Sequence, residues 1–137
     1  MESQRALRIG VLGAGSHSRL HHGPTLQKCA EQRPRLQLAA VCDLEADKAR
    51  PYAEDFGFAA VYTDVSRMLQ EEHLDGLVAV TPMRLTREIV SDLLPHQIPL
   101  LIEKPPGKDS EEARQLVHAA RQSGTPHLRV RFALAVA

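Results

Sequence analysis

Six short apolar runs alternate with longer mixed segments along this chain, and few folds are compatible with that rhythm. The runs extend from Leu7 to Leu12, Leu36 to Val41, Ala59 to Tyr62, Gly76 to Val80, Pro99 to Ile102 and Leu128 to Leu134. Most of the middle runs are continuously apolar, as in strands that helices bury on both faces. The pattern predicts an α/β fold: a doubly wound, mainly parallel six-stranded sheet, order 3-2-1-4-5-6, with helices on both faces.

Residues that begin and end helices occur between these runs. Asp64 is placed to cap one helix, and Asp109 with Glu112 three residues later forms a capping box for another. Gly57 and Gly124 follow helical segments at positions where a left-handed residue ends a helix. These signals support the alternation of strands and helices.

Length and composition exclude several classes of protein. The 137 residues correspond to one domain, residues 1–137, and the 17 basic and 17 acidic side chains leave no excess of positive charge for nucleic acid. No apolar run approaches the roughly 18 residues of a membrane span. Cys29 and Cys42 form no CxxC pair, which is typical of reduced thiols in a cytoplasmic protein.

A glycine-rich turn follows the first predicted strand directly. Its residues are Gly13, Ala14, Gly15, Ser16, His17 and Ser18, and a helical segment comes next. Such a turn lets the backbone approach a pyrophosphate, whose charge then lies against the N–H groups of the helix N-terminus. Ser18 stands where a third glycine usually stands, so a simple tight turn is the alternative interpretation.

An acidic residue, Asp43, ends the second predicted strand. A carboxylate there can accept hydrogen bonds from both hydroxyls of the adenosine ribose of NAD, and it would repel the 2′-phosphate of NADP. Arg50 is the nearest arginine downstream. The cofactor expected is therefore NAD rather than NADP. A helix N-cap is the alternative role of Asp43, and the two roles are compatible.

Polar residues also follow the fourth and fifth predicted strands. Thr81 and Pro82 end the fourth, and Glu103 and Lys104 end the fifth, immediately before Pro105. Ligands of open α/β sheets bind at the carboxyl ends of the strands. A Pro-Pro turn fixes the direction of the lysine, which a structural surface lysine does not need. A solvated charge pair is the alternative.

The closely spaced histidines suggest a metal site, but the sequence does not support one. His17 and His21 lie at i and i+4, like two ligands on one helix face. That segment offers no third ligand, and a phosphate would need the same helix end. We therefore predict no metal and expect His21 to pack or hydrogen-bond beneath the cofactor loop.

These residues resemble, in order and spacing, the glucose-fructose oxidoreductase/inositol dehydrogenase (Gfo/Idh/MocA) oxidoreductases. The resemblance rests on the elements at Gly13, His21, Asp43, Thr81 and, most specifically, Glu103-Lys104-Pro105. It implies an N-terminal Rossmann domain that binds NAD or NADP, with Lys104 as its one catalytic contribution. It also implies that the Lys104–Pro105 bond can be cis and that a second domain carries the substrate pocket.

Two departures from the family shape the functional expectations. Thr86 stands where the family commonly has histidine, and we expect these residues to be the first domain of a longer two-domain oxidoreductase, without the second domain that the resemblance implies. We expect a cofactor-binding domain of a sugar or polyol oxidoreductase that is not catalytically competent alone. A non-catalytic nucleotide-sensing or protein-interaction module is the alternative. A third expectation is self-association through the strand from Leu128 to Leu134.

Overall fold

Six strands form one sheet in the order β3-β2-β1-β4-β5-β6, in a computed structural model that describes residues 5–125 and 128–131. The strands are Leu7–Leu12 (β1), Leu36–Cys42 (β2), Ala60–Tyr62 (β3), Gly76–Ala79 (β4), Leu100–Glu103 (β5) and Leu128–Arg131 (β6). β1 pairs in parallel with β2 and β4, β2 with β3, and β5 with β6. The predicted strand order is confirmed.

Helical segments flank the sheet and connect successive strands. The α-helices are Gly23–Gln32 (α1), Ala46–Phe56 (α2), Val65–Glu71 (α3), Thr86–Leu93 (α4) and Ser110–Ser123 (α5). A π-helical turn, Ser18–His22, precedes α1, and short 3-10 turns occupy Met83–Leu85 and Leu94–His96. The α/β class predicted from the alternation of runs is therefore also confirmed.

The apolar runs that form β2 and β4 are the most deeply buried. In β2 the last five residues are all buried, and Leu77 to Ala79 of β4 are buried as well. Five predicted boundaries shift by one residue: β2 extends to Cys42, β3 begins at Ala60, β4 stops at Ala79, and both ends of β5 move, to Leu100 and Glu103.

The predicted helix caps form. Asp64 Oδ1 accepts from the backbone N–H groups at the start of α3, at 2.9 and 3.4 Å. Asp109 Oδ1 accepts from Glu112 N at 2.9 Å, as in a capping box. The Glu112 carboxylate, however, accepts from the backbone N–H of Lys108 and not from that of Asp109, as a complete capping box requires. Gly57 and Gly124 end α2 and α5 with φ of 87° and 72°, in the left-handed region.

Contacts within the chain divide it into two units, one up to Val80 and the other from Thr81 onward. In the first unit, α1 and α2 pack against each other and against β2. In the second, α4 packs against α5, and β5 pairs with β6. The last predicted strand extends to Leu134, and its residues after Arg131 lie outside the described residues. Self-association through that strand therefore stays a prediction.

Candidate functional site

The glycine turn after β1 has a backbone that only glycine fits at its first position. Gly13 has a φ of 105°, and its N–H donates to Cys42 O at 2.8 Å. A Cβ at this position would lie 2.2 Å from the carbonyl oxygen of Val80. By contrast, a Cβ at Gly15 would meet no atom within 4 Å. Gly13 therefore builds the turn, whereas Gly15 leaves open space beside it.

A helix begins directly after this turn. Ser16 and His17 are already helical and exposed, and Arg19 N donates to Gly15 O at 2.9 Å. The first N–H groups of a helix have no acceptor within the helix, and they carry the positive end of its dipole. This combination of a glycine turn and a helix start suits an anion such as a pyrophosphate.

Asp43 connects the glycine turn to the end of β2. Its side chain is half-buried, and its Oδ2 accepts from Ala14 N at 2.8 Å. Its Oδ1 accepts from Glu45 N at 2.9 Å, which closes a local turn before α2. The N-cap of α2 is Glu45, so the alternative role of Asp43 as the cap of this helix is wrong. The turn closed by Asp43 therefore precedes α2, which begins at Ala46.

The thiol next to Asp43 is not poised as a nucleophile. Cys42 is buried at the end of β2. Burial first, and then the carboxylates of Asp43 and Asp64, raise the pKa of this thiol to about 11. Because the thiolate is the reactive form, Cys42 is an inert part of the strand end.

The serine in place of the third glycine has a partner of its own. Ser18 and Tyr52 of α2 are both 0% exposed, and their hydroxyl oxygens lie 2.9 Å apart. The ring of Tyr52 packs against Phe56 and Phe58, at centroid distances of 4.8 and 5.6 Å. The Ser18–Tyr52 pair is not among the sequence predictions. The residue that could have indicated it is Tyr52, because a tyrosine on the buried face of a helix needs a hydrogen-bond partner for its hydroxyl.

The histidines lie differently from the sequence expectation. His21 is exposed, with its ring centroid 4.7 Å from that of His17, so the expectation that it packs beneath the loop is wrong. His22 is the buried one. The π-helical turn accounts for the difference, because its wider winding changes which side chains face inward.

The turn after β4 belongs to the second unit and is held by two threonines. The hydroxyl oxygens of Thr81 and Thr86 lie 2.9 Å apart, and Thr86 Oγ1 donates to Pro82 O at 3.2 Å. Thr86 is buried, whereas Pro82 is exposed. Thr86, at the position where the family commonly has histidine, therefore fixes the turn that carries Thr81 and Pro82.

The element at the end of β5 is placed as the sequence predicts. Glu103 is the last residue of β5 and is half-buried, while Lys104 follows it and is exposed. The Lys104–Pro105 peptide bond is cis, which confirms the expectation drawn from the family resemblance. Glu103 and Lys104 thus lie at the carboxyl end of β5.

A cleft of about 470 Å³ lies elsewhere in the first unit. It is lined by residues of α2, β3 and α3, and its two arginines, Arg50 and Arg67, are balanced by two carboxylates, Asp64 and Glu71. None of the predicted site residues lines it.

The helices within residues 5–125 and 128–131 include none with the length and hydropathy that a membrane span requires.

Comparison with known proteins identifies the family. The family described as "Oxidoreductase family, NAD-binding Rossmann fold" matches residues 7–132. Inositol 2-dehydrogenase of Arthrobacter sp. (strain FB24) is 29% identical over 126 residues, which is 92% of this chain and 36% of that protein. D-glucoside 3-dehydrogenase of Escherichia coli (strain K12) is 32% identical over 118 residues, which is 86% and 32% respectively.

Solved structures show the same fold. GenD2 from gentamicin A biosynthesis, in complex with NAD, has a TM-score of 0.76 and 25% identity, over 92% of this chain and 34% of that one. Scyllo-inositol dehydrogenase of Lactobacillus casei, with NAD(H) and scyllo-inositol, has a TM-score of 0.77 at 18% identity, over 92% and 36%. The chain spans about a third of the length of the curated relatives named above. It belongs to the Gfo/Idh/MocA oxidoreductase family, as an NAD-binding Rossmann domain.

Proposed function

We propose that this chain supplies the cofactor-binding part of an NAD-dependent oxidoreductase that acts on a hydroxyl or carbonyl carbon of a polyol or sugar. The observation that carries the proposal is the Asp43 carboxylate, held at the end of β2 by a hydrogen bond from the glycine turn. The substrate class is supported by relatives named as dehydrogenases of inositol and of D-glucoside.

Asp43 is proposed to bind the adenosine ribose. Each carboxylate oxygen has two acceptor positions, and each already accepts one backbone N–H, from Ala14 or from Glu45. One acceptor position remains on each oxygen, enough for two ribose hydroxyls. A 2′-phosphate would bring a second negative charge to the same place, so NAD is favoured over NADP.

The glycine turn is proposed to bind the pyrophosphate, through Gly13, Gly15, Ser16 and His17. The open space at Gly15 fits this role, because a side chain there would occupy the approach of a phosphate to the backbone. The helix start at Ser16 supplies N–H groups and a positive dipole end. The residues present therefore fit a dinucleotide.

The second unit is proposed to contact the nicotinamide half, through Thr81, Pro82, Glu103 and Lys104. When bound, NAD supplies the hydride acceptor for oxidation of the substrate. Lys104 is proposed as the catalytic residue, which would donate a hydrogen bond to the substrate oxygen. Catalysis also needs a substrate pocket and a proton acceptor. We propose that a second domain supplies both and that this chain alone does not turn over substrate.

The setting proposed for the protein is the cytoplasm. Cys29 and Cys42 both carry free thiols, as is usual for proteins in a reducing compartment. The small-molecule partner is the dinucleotide, and the balanced charge supports neither a nucleic-acid nor a membrane-surface role.

A thermal-shift titration with NADH and NADPH in parallel tests the cofactor assignment. At a hundredfold excess over its dissociation constant, NADH should add about 2.7 kcal/mol, which raises Tm by roughly 10 °C for a domain of this size. NADPH should stabilise the chain much less. Stabilisation by NADPH alone would overturn the assignment to Asp43, and no shift with either cofactor in a folded chain would favour the non-catalytic module.

A pair of variants separates the selector role of Asp43 from a general effect of charge. Asp43→Asn removes the negative charge and exchanges one acceptor oxygen for a donor, so the preference for NADH over NADPH should fall at least fivefold. Asp64→Asn is the matched control, because Asp64 also precedes a helix at a strand end but is not in the proposed site. A preference that is equal in both variants and in the parent chain would contradict the proposal.

A further inference from the structure

Ser18 lies in the wall between the proposed pyrophosphate site and the packed interior of the first unit. It stands at the third glycine position of the motif, and its hydroxyl meets the Tyr52 hydroxyl at 2.9 Å. Neither residue has any exposed surface, so water does not compete for this hydrogen bond. The Tyr52 hydroxyl also lies 3.4 Å from the backbone carbonyl oxygen of Ser18, so both of its contacts are to Ser18, and such buried contacts favour a single arrangement of the backbone that carries them.

The local winding of the helix directs Ser18 inward. Gly23 N donates to Ser18 O, which is the bond across five residues that defines a π turn. Pro24, at the next position, has no N–H for the Leu20 carbonyl, so the regular α-helical ladder cannot run through this segment. The turn ends where α1 begins, and within it Ser18 and His22 are the buried residues.

The segment of residues 15–17 is therefore held at both of its ends. On one side, Gly13 N is bonded to Cys42 O and Ala14 N to Asp43 Oδ2, at 2.8 Å each. On the other side, Ser18 is bonded to Tyr52. Arg19 forms an ion pair with Asp55, which also lies on α2.

We propose that the Ser18–Tyr52 hydrogen bond positions residues 14–17 for the dinucleotide and so performs the role that close packing of a third glycine performs elsewhere. Ser18 and Tyr52 are positioning residues, since they act through the backbone of the turn. This inference rests on the proposed function for its ligand. The rigidity of the turn, however, can be measured without any cofactor.

Hydroxyl deletions test the proposal. Tyr52→Phe removes one oxygen and leaves the ring packed against Phe56 and Phe58. Ser18→Ala removes the other oxygen and provides a second route should the first variant fail to fold. Tyr62→Phe is the matched control, because the Tyr62 hydroxyl is bonded to Glu71 and Glu72 at 3.0 and 2.9 Å, away from the turn.

Native-state hydrogen exchange of the cofactor-free chain is the first readout. Tyr52→Phe and Ser18→Ala should each speed exchange about tenfold at the hydrogen-bonded amides of the turn, those of Gly13, Ala14 and Arg19, with little change at the buried amides of β2. Tyr62→Phe should leave exchange at these three amides unchanged. Equal acceleration throughout the first unit would overturn the proposal, because it would indicate a general packing role. Unchanged exchange at the turn would also overturn it.

NADH affinity, from the fluorescence of the bound cofactor, is the second readout. Loss of one neutral hydrogen bond predicts a rise in the dissociation constant of about threefold to tenfold for either variant. The double variant should bind like Tyr52→Phe, since that variant already removes both contacts of the Tyr52 hydroxyl with Ser18. Faster exchange with unchanged affinity would overturn the positioning role. If the parent chain binds no NADH, the proposed function fails, and the exchange readout still decides whether the bond orders the turn.

Discussion

The two glycines of the turn should respond to alanine in opposite ways. A Cβ on Gly13 would lie 2.2 Å from Val80 O, so the backbone must move by about 0.8 Å to reach even 3.0 Å. Its φ of 105° adds strain for any residue with a side chain. The strain costs about 1–2 kcal/mol, and the forced packing about 1–3 kcal/mol. Gly13→Ala should therefore lose about 2–5 kcal/mol of stability.

Such a loss lowers Tm by roughly 8–20 °C, which circular dichroism on heating measures directly. Gly15→Ala is the control, since its Cβ meets no atom within 4 Å. It should stay within about 3 °C of the parent chain, yet bind NADH at least tenfold more weakly because the methyl group occupies the approach of the pyrophosphate. A Gly13→Ala chain that melts with the parent would refute the reasoning about the turn. A Gly15→Ala chain with unchanged affinity would refute the placement of the phosphate.

Three further results are expected. In the native chain at pH 8, a thiol reagent should label the half-buried Cys29 readily. It should label the buried Cys42, whose pKa is raised to about 11, only after denaturation. Equal labelling rates for the two cysteines would contradict the burial of β2. Asp64→Ala should reduce stability by about 1 kcal/mol in urea unfolding, through loss of the α3 cap, and an unchanged midpoint would show that the cap contributes nothing. Burial, and then hydrogen bonds to two glutamates, raise the pKa of Tyr62 to about 12. The stability linked to the protonated phenol should therefore be fully present below pH 10 and be lost as pH rises through 12; tyrosinate absorbance that is complete by pH 10.5 would contradict this.

Local signals predicted the strands and the helix ends well, because their causes lie within a few residues. The runs at Leu7 and Leu36 begin where β1 and β2 begin. Asp64 and Gly57 act through bonds to residues close by in the chain, so their roles can be inferred without knowing what packs against them. The strand order followed from the alternation of strands and helices, which leaves few ways to cover both faces of a sheet.

The predictions from sequence were wrong for side chains whose surroundings depend on how the whole chain folds. The serine at position 18 looked like a poor third glycine, and only the fold brings the Tyr52 hydroxyl to it across 34 residues. His21 was expected inside and His22 lies there instead, because the π turn shifts the inward face. A cap for α2 is the alternative role that sequence suggests for Asp43, but its two oxygens accept from the glycine turn and from a local turn before α2.

The departure at Thr86 shows the same limit in the second unit. The sequence shows only that a histidine of the family pattern is missing. In the fold, the Thr86 hydroxyl is buried and bonded to Thr81 and to the Pro82 carbonyl. Thr86 thus orders the turn that carries two of the proposed nicotinamide contacts.

Mapping of bound NADH onto backbone amides by NMR tests the central claim most directly. Titration of the isotope-labelled chain should shift the amide signals of residues 13–17 and 43–45 first and most strongly, in fast or intermediate exchange. Asp43→Asn should reduce the shifts at residues 43–45. Shifts confined to the cleft beside Arg50 and Arg67, with the glycine turn unchanged, would contradict the proposed binding site for NAD.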